Sequence, residues 1–276
     1  MPQSISRRLE GPMRPERIFA VLDKEVHDAL RNRYVAMLLV ILPLLFLALP
    51  VATMIGLRQI PPSWGSTGEL PPALARRLAD LPPQAQMEVF LIGQWMLLFW
   101  IGPMAIPMTI AAYSVVGEKR EKALEPLLAT SVTTAEVLAG KALAAALPGI
   151  GLSLLTYLGV VLGAALLRIH PAAFAVLWGP TAWLQVLVLG PLFTLMATLL
   201  GLMVSSRVND PRLAEQIGMV VVLPLLGLII AQSLGFLWLS ETLPLLLALF
   251  LAGLDALLLA LAVALFERET ILTRWR

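Results

Sequence analysis

Long apolar runs alternate with short polar segments along most of the 276-residue chain. Six runs are long enough to cross a hydrocarbon core of about 30 Å, which takes roughly 20 helical residues. They cover residues 34–55, 89–116, 142–167, 183–204, 216–239 and 245–266. Each run is continuously apolar rather than alternating, which favours helices as the structures that satisfy the backbone in lipid. The pattern predicts an all-α protein with six membrane-spanning helices between residues 34 and 266, preceded by segment 1–33 and followed by tail 267–276.

Composition agrees with a protein embedded in a membrane. Hydrophobic residues make up 59% of the chain and charged residues 14%, whereas soluble domains carry about a quarter charged residues. The chain has no cysteine, which excludes a disulfide framework, a thiol nucleophile and a cysteine-based metal site.

The distribution of Lys and Arg predicts the orientation. If the N-terminus is cytoplasmic, sixteen of the twenty Lys and Arg residues lie on the cytoplasmic side and four on the other. Positive charge is enriched in cytoplasmic loops. Both termini are therefore expected in the cytoplasm.

The segment before the first run has the pattern of an amphipathic helix. Its apolar stripe consists of Ile18, Val21, Leu22, Val26, Ala29 and Leu30. The opposite face carries Asp23, Lys24, His27, Asp28 and Arg31. A helix of this kind is typical of the membrane interface.

A charged and threonine-rich stretch, GEKREKALEPLLATSVTTAEVLAGK at residues 117–141, separates the second and third runs. Three glutamates recur near one helical face and three leucines lie on another. Thr133 and Glu136 have the spacing of a capping box, which starts a new helix. The stretch therefore predicts a cytoplasmic helix, a turn and a second helix. A solvated connector is the alternative, but the loop is long and presents leucines to the cytoplasm.

Residues 117–130, followed by residues 137–141, resemble the signature of ABC-2 type permeases, the membrane subunits of ATP-binding-cassette exporters. The six-helix layout resembles the compact group that includes sodium-exporter and nitrous-oxide-maturation permeases. The resemblance implies that the charged stretch is a coupling helix that docks on a separate cytoplasmic ATPase subunit. It assigns the docking role to Glu118, Glu121, Leu124, Glu125, Leu127 and Leu128.

Further expectations follow from the same resemblance. The N-terminal amphipathic helix would be the connecting helix that precedes the first span. The chain would pair with a second permease, expected to be an identical copy with a non-identical one as the alternative, in the cytoplasmic membrane of a prokaryote. ATP and Mg would be bound by the partner ATPase. Closure of the ATPase would push on residues 118–130 and, through Lys141, tilt the second and third spans.

The chain is not expected to hydrolyse ATP by itself, because it contains no G-x-x-x-x-G-K-[ST] phosphate-binding loop. No cofactor, metal site or nucleic-acid partner of its own is expected either. Its two histidines, His27 and His170, are predicted on opposite sides of the membrane.

Asp255 is the one carboxylate near the middle of a predicted span, and it allows a second interpretation of the function. A secondary transporter or channel would use such an ionisable group, although these proteins usually carry several. The cost of a mid-membrane carboxylate, roughly 2.5–3.5 kcal/mol, predicts that Asp255 faces the bundle. There it would bind an ion or polar substrate, or stay protonated or hydrogen-bonded. The candidate hydrogen-bond partners are Ser153, Thr156, Tyr157, Thr194 and Thr198.

Overall fold

A computed structural model describes residues 14–59, 70–120, 133–234 and 242–265. These residues are 90% helical and include no strand, which confirms the all-α prediction. Within these ranges, six helical segments are long and apolar enough to cross a membrane, as predicted. Spans 1 to 6 are Arg33–Gln59, Pro83–Gly117, Ala135–Leu166, Pro171–Arg207, Pro211–Ser233 and Thr242–Leu265. An N-terminal helix, Pro15–Arg31, precedes span 1, and a short helix, Pro72–Arg77, lies between spans 1 and 2.

Several helices begin earlier than the apolar runs, because their first turns are set by proline and by capping side chains. Span 4 starts at Pro171 rather than near residue 183, with the His170 side chain accepting a hydrogen bond from the Ala172 N–H. Span 5 starts at Pro211, and Asp210 caps it through the Arg212 N–H at 2.9 Å. Proline is favoured at the first helical position because the missing N–H would have no intrahelical partner there.

Spans 2 and 4 are interrupted. Span 2 is formed by helix Pro83–Leu98 and by most of helix Ile101–Arg120, which continues beyond the end of the span. The break follows from Pro103, which has no N–H for the Phe99 carbonyl, and that carbonyl accepts from the Gly102 N–H at 3.2 Å instead.

Span 4 contains four consecutive pieces: Pro171–Trp178, Pro180–Leu184, a π-helical turn Gln185–Leu189, and Gly190–Arg207. In the π turn the Gly190 N–H bonds to the carbonyl of Gln185, five residues earlier. Such turns are uncommon and frequently occur at functional sites.

Spans 2 and 4 form the centre of the bundle. Over half of the apolar stretch is buried in each of them, 56% and 61%, against 11% in span 1. The two spans approach closely at Gly201, where a Cβ atom would lie 2.9 Å from the Cβ of Ala111. They are also joined by the Thr194 hydroxyl, which donates to the Pro103 carbonyl at 3.0 Å. That carbonyl lacks its helical donor because residue 107 is proline.

The N-terminal helix is present where the amphipathic pattern predicts it. Its Val21 is buried against the first turns of span 3, so one face of the helix packs on the membrane-spanning bundle. Phe19 and Leu30 remain exposed, and His27 is exposed on the polar face.

Candidate coupling site at the base of spans 2 and 3

The predicted docking stretch lies between spans 2 and 3, and the structure describes its two ends. Glu118 belongs to the last turn of helix Ile101–Arg120. The other predicted docking residues, Glu121, Leu124, Glu125, Leu127 and Leu128, lie outside the described residues. The structural evidence on coupling therefore comes from the two segments that flank this stretch, the end of span 2 and the start of span 3.

The span 3 helix begins with the predicted capping box. The Thr133 hydroxyl oxygen accepts a hydrogen bond from the Glu136 N–H at 3.2 Å, and the Glu136 carboxylate accepts from the Thr133 N–H at 2.8 Å. This reciprocal arrangement satisfies two N–H groups that a helix start leaves without partners. The chain leaving the docking stretch is thus fixed at its entry into span 3.

Glu136 also binds the start of the N-terminal helix. Its second carboxylate oxygen accepts a hydrogen bond from the Arg14 N–H at 2.8 Å, and the Arg17 guanidinium lies 3.5 Å from the carboxylate. The side chain is fully buried. One carboxylate therefore holds together two helix starts that are more than a hundred residues apart in sequence.

Lys141, one turn further along span 3, forms a buried ion pair with Glu25 of the N-terminal helix. The Lys141 Nζ atom lies 2.6 Å from the Glu25 carboxylate and donates to the Ser114 hydroxyl of span 2 at 2.8 Å. Glu25 is 4% exposed and Lys141 3%. The N-terminal helix, the end of span 2 and the start of span 3 therefore meet at one ammonium group.

The ion pair controls the protonation of Glu25. Burial by itself would raise the pKa of the Glu25 carboxyl, but the charge and hydrogen bond of Lys141 outweigh it and lower the pKa from 4.5 to about 2. Charge pairing favours the ionised form. The Glu25 carboxylate therefore stays ionised at neutral and mildly acidic pH.

Gly140 lets the N-terminal helix approach span 3 closely enough for these contacts. A Cβ atom on Gly140 would lie 2.7 Å from the Cβ of Val21 and 3.1 Å from the Ile18 carbonyl oxygen. Both obstacles are at or beside the backbone, so no simple side-chain rotation relieves the clash. We call the cluster of Glu25, Ser114, Glu136, Gly140 and Lys141 the coupling junction.

Gly140→Leu is expected to lower the thermal unfolding midpoint of the purified protein, since overpacking a close contact costs about 1–3 kcal/mol. The matched control is Gly151→Leu in the same helix, where a Cβ atom would meet no atom within 4 Å. Equal midpoints for the two variants would contradict the close packing of the N-terminal helix on span 3.

A second polar contact fastens span 5 to spans 1 and 2. The Thr109 hydroxyl donates to the Glu215 carboxylate at 2.6 Å, and the Tyr34 hydroxyl lies 3.4 Å from both carboxylate oxygens. The Tyr34 ring also packs on Tyr113, with centroids 5.5 Å apart. Side chains of spans 1, 2 and 5 are therefore joined at the Glu215 carboxylate.

The model of one known protein family, the ABC-2 family transporter protein family, matches residues 19–249. The chain belongs to this family. A search of curated proteins found no match for the chain. The family assignment confirms the resemblance carried by residues 117–141 and identifies a multi-pass membrane subunit of an ABC transporter rather than the ATPase itself. It also implies association with an ATP-binding subunit.

Asp255 of this ABC-2 permease is buried in the bundle, as the cost of a mid-membrane carboxylate predicts. None of the candidate hydrogen bonds is formed, and neither carboxylate oxygen has a hydrogen-bond partner among the described residues. Four candidate hydroxyls donate to backbone carbonyls instead: Thr156 to Leu152, Tyr157 to Leu177, Thr194 to Pro103 and Thr198 to Thr194. The fifth, Ser153, lines a small cavity between spans 1, 2 and 3.

The ion pair at the junction was not predicted from the sequence, although a signal for it exists. Glu25 lies four residues after Val21 and four before Ala29, so it falls within the apolar stripe of the N-terminal helix. A carboxylate in a buried stripe needs a cationic partner. Lys141, a cation at the start of an apolar span, likewise needs an anionic partner.

Proposed function

We propose that this chain is the permease subunit of an ABC exporter and that a separate cytoplasmic ATPase docks on residues 118–130. The coupling junction is the observation that carries the proposal. The two ends of the docking stretch are joined at Lys141 of span 3, which donates both to Ser114 of span 2 and to Glu25 of the N-terminal helix. Glu136 of span 3 binds the start of the same N-terminal helix. A push on the stretch is therefore transmitted to spans 2 and 3 and to the N-terminal helix together.

The junction suits the transmission of force because its contacts are short and buried. Buried ion pairs are held in one geometry, since separating the partners leaves an uncompensated charge. Span 2 in turn packs on span 4 at the centre of the bundle. A displacement of the docking stretch would thus be transmitted through packed helices, from span 2 to span 4, to the interior of the protein.

The remaining partners follow from the same proposal. A second permease, expected to be an identical copy, completes the membrane part, and substrate passes at the interface between the two. Two ATPase subunits bind ATP and Mg on the cytoplasmic side of the membrane, which we propose to be the cytoplasmic membrane of a prokaryote. The decisive test is whether an ATP-binding subunit copurifies with the chain and is lost when the docking stretch is altered.

The orientation is tested in the naturally cysteine-free chain by single cysteines on opposite sides. Ala79→Cys lies between spans 1 and 2, Asn209→Cys lies between spans 4 and 5, and both positions are exposed. In intact cells a membrane-impermeant thiol reagent is expected to label Ala79→Cys, whereas Asn209→Cys is labelled only after the membrane is opened. The unsubstituted protein is the control for background, and labelling of both cysteines in intact cells would overturn the six-span arrangement.

A further inference from the structure

Asp255 points into the bundle from the single buried face of span 6. The buried residues of this helix recur every three or four positions: Pro244, Ala248, Leu251, Asp255, Leu258 and Ala262. The other faces carry exposed apolar side chains such as Leu249 and Leu257. Asp255 therefore occupies a core position in the contact between span 6 and the helix Gly190–Arg207 of span 4.

The carboxyl group of Asp255 is buried, and no ion pair to it occurs in the part of the chain that the structure describes. The residue is 3% exposed, and neither carboxylate oxygen has a hydrogen-bond partner among the described residues. Span 6 packs on span 3 and on residues 180–207 of span 4. The titratable or charged groups on these segments are Glu136, Lys141, Tyr157 and Arg207.

None of these four groups supplies the missing partner. Glu136 and Lys141 belong to the coupling junction. The Tyr157 hydroxyl donates to the Leu177 carbonyl, and Arg207 is exposed at the end of span 4.

An ionised carboxylate in this environment is costly, because the low-dielectric interior penalises a charge that no cation or hydrogen-bond donor compensates. The neutral acid has a much smaller penalty. A bound metal cation would need several oxygen ligands around it, and the described residues contain no group of three or more His, Cys, Asp or Glu side chains that could hold one.

We propose that Asp255 is a proton-binding site. The carboxylic acid holds its proton while spans 4 and 6 are packed, and when they separate and water enters, the O–H bond breaks to give the carboxylate and a hydrated proton. The packed arrangement thus binds one proton more than an opened one, and any conformational cycle that separates these spans is linked to protons.

The distribution of other unpartnered polar atoms supports this site. Among the described residues, the remaining buried side-chain atoms without a hydrogen-bond partner belong to Gln94, Trp100, Gln185 and Gln232. All lie on spans 2, 4 and 5, and Gln185 lies in the π turn, which packs on span 6. Native proteins bury few such groups, and each needs an explanation such as water that enters in another state.

Infrared spectroscopy of the full-length permease in lipid vesicles tests the protonation directly. Wild-type protein is expected to show the C=O stretch of a protonated carboxyl at neutral pH, and Asp255→Asn is expected to lack it. Glu88→Gln is the control, because Glu88 is also buried but accepts a hydrogen bond from the His170 N–H at 2.8 Å. Identical carboxyl bands in wild type and Asp255→Asn would overturn the proposal.

Thermal unfolding gives a second, independent readout. An unfolded aspartate is ionised above about pH 5. Where the folded protein keeps the proton that the unfolded chain releases, each unit rise in pH shifts the equilibrium about tenfold towards unfolding. Wild type should show this slope above about pH 5, over the range in which the folded protein keeps the proton, and Asp255→Asn should lose it.

Equal slopes would count against the proton site. Stabilisation of wild type, and not of Asp255→Asn, by sodium or potassium chloride at constant ionic strength would show a metal-cation site instead and overturn the assignment. Neither measurement involves the ATP-binding subunit, so a negative result would leave the proposed exporter function untouched.

Discussion

The Leu127→Asp permease is expected to lose its ATP-binding subunit during purification while remaining folded. If residues 118–130 are the docking helix, Leu127 is an apolar anchor buried against the ATPase. Such anchors supply most of the affinity of an interface. Aspartate would place an unpaired charge in that contact, at a cost of several kcal/mol, which corresponds to a loss of binding of about a hundredfold or more.

The control is the same chemical change outside the docking stretch. Leu213 is 47% exposed in the first helical turns of span 5, and Leu213→Asp is expected to keep the ATP-binding subunit. Both variants are purified from membranes and compared with wild type for monodispersity and for the amount of retained subunit. A monodisperse Leu127→Asp permease that carries its full complement of ATPase would show that the stretch is only a connector.

The spans could be predicted because membrane insertion depends on the hydrophobicity of each segment by itself. A helix that crosses lipid must be apolar over about 20 consecutive residues, whatever it packs against. The helix ends were less predictable. Span 4, for example, begins at Pro171 because of that proline and the capping side chain of His170, not because of hydropathy. The break after Leu98 depends on a proline whose effect on the backbone varies with its neighbours.

The coupling junction was only partly predictable, because its contacts join residues that are far apart in sequence. The capping box of Thr133 and Glu136 is local, and its spacing predicts it. The bonds from Lys141 to Glu25 and from Arg14 to Glu136 span 116 and 122 residues. No periodicity along one segment encodes such a pairing, although a charge within an apolar stripe shows that a partner must exist.

The hydrogen-bonded alternative for Asp255 is not realised among the described residues, for a related reason. Hydroxyls within a helix have a nearer acceptor, the backbone carbonyl of the preceding turn. Thr156 and Thr198 both bond to the residue four positions earlier. Counting hydroxyls on neighbouring spans therefore overstated the donors available to a mid-membrane carboxylate.

Lys141→Met is expected to destabilise the permease by about 3–5 kcal/mol, since it leaves the Glu25 carboxylate buried without its cation. That is a large part of the stability of a typical protein. Replacing both partners, Glu25→Met with Lys141→Met, should recover most of the loss, because two apolar side chains of similar volume fill the space without a charge. Thermal unfolding of the single and double variants measures the coupling energy, and a Lys141→Met protein as stable as wild type would exclude the buried ion pair.

The same pair predicts how wild-type stability depends on pH. The pKa of Glu25 is about 2 in the folded protein against its ordinary value of 4.5, so the stabilisation is complete above pH 4.5 and is lost as the pH falls towards 2. The loss should be on the order of a few kcal/mol. The double variant should lose less stability in acid than wild type, since it lacks this pair but keeps the other buried carboxylate, Glu136. Asp23→Asn, which removes an exposed carboxylate from the same helix, should lose as much as wild type. An equal loss of stability in acid for wild type and the double variant would place the acid sensitivity elsewhere, whereas a larger loss in wild type would show that this ion pair contributes to holding the N-terminal helix on span 3.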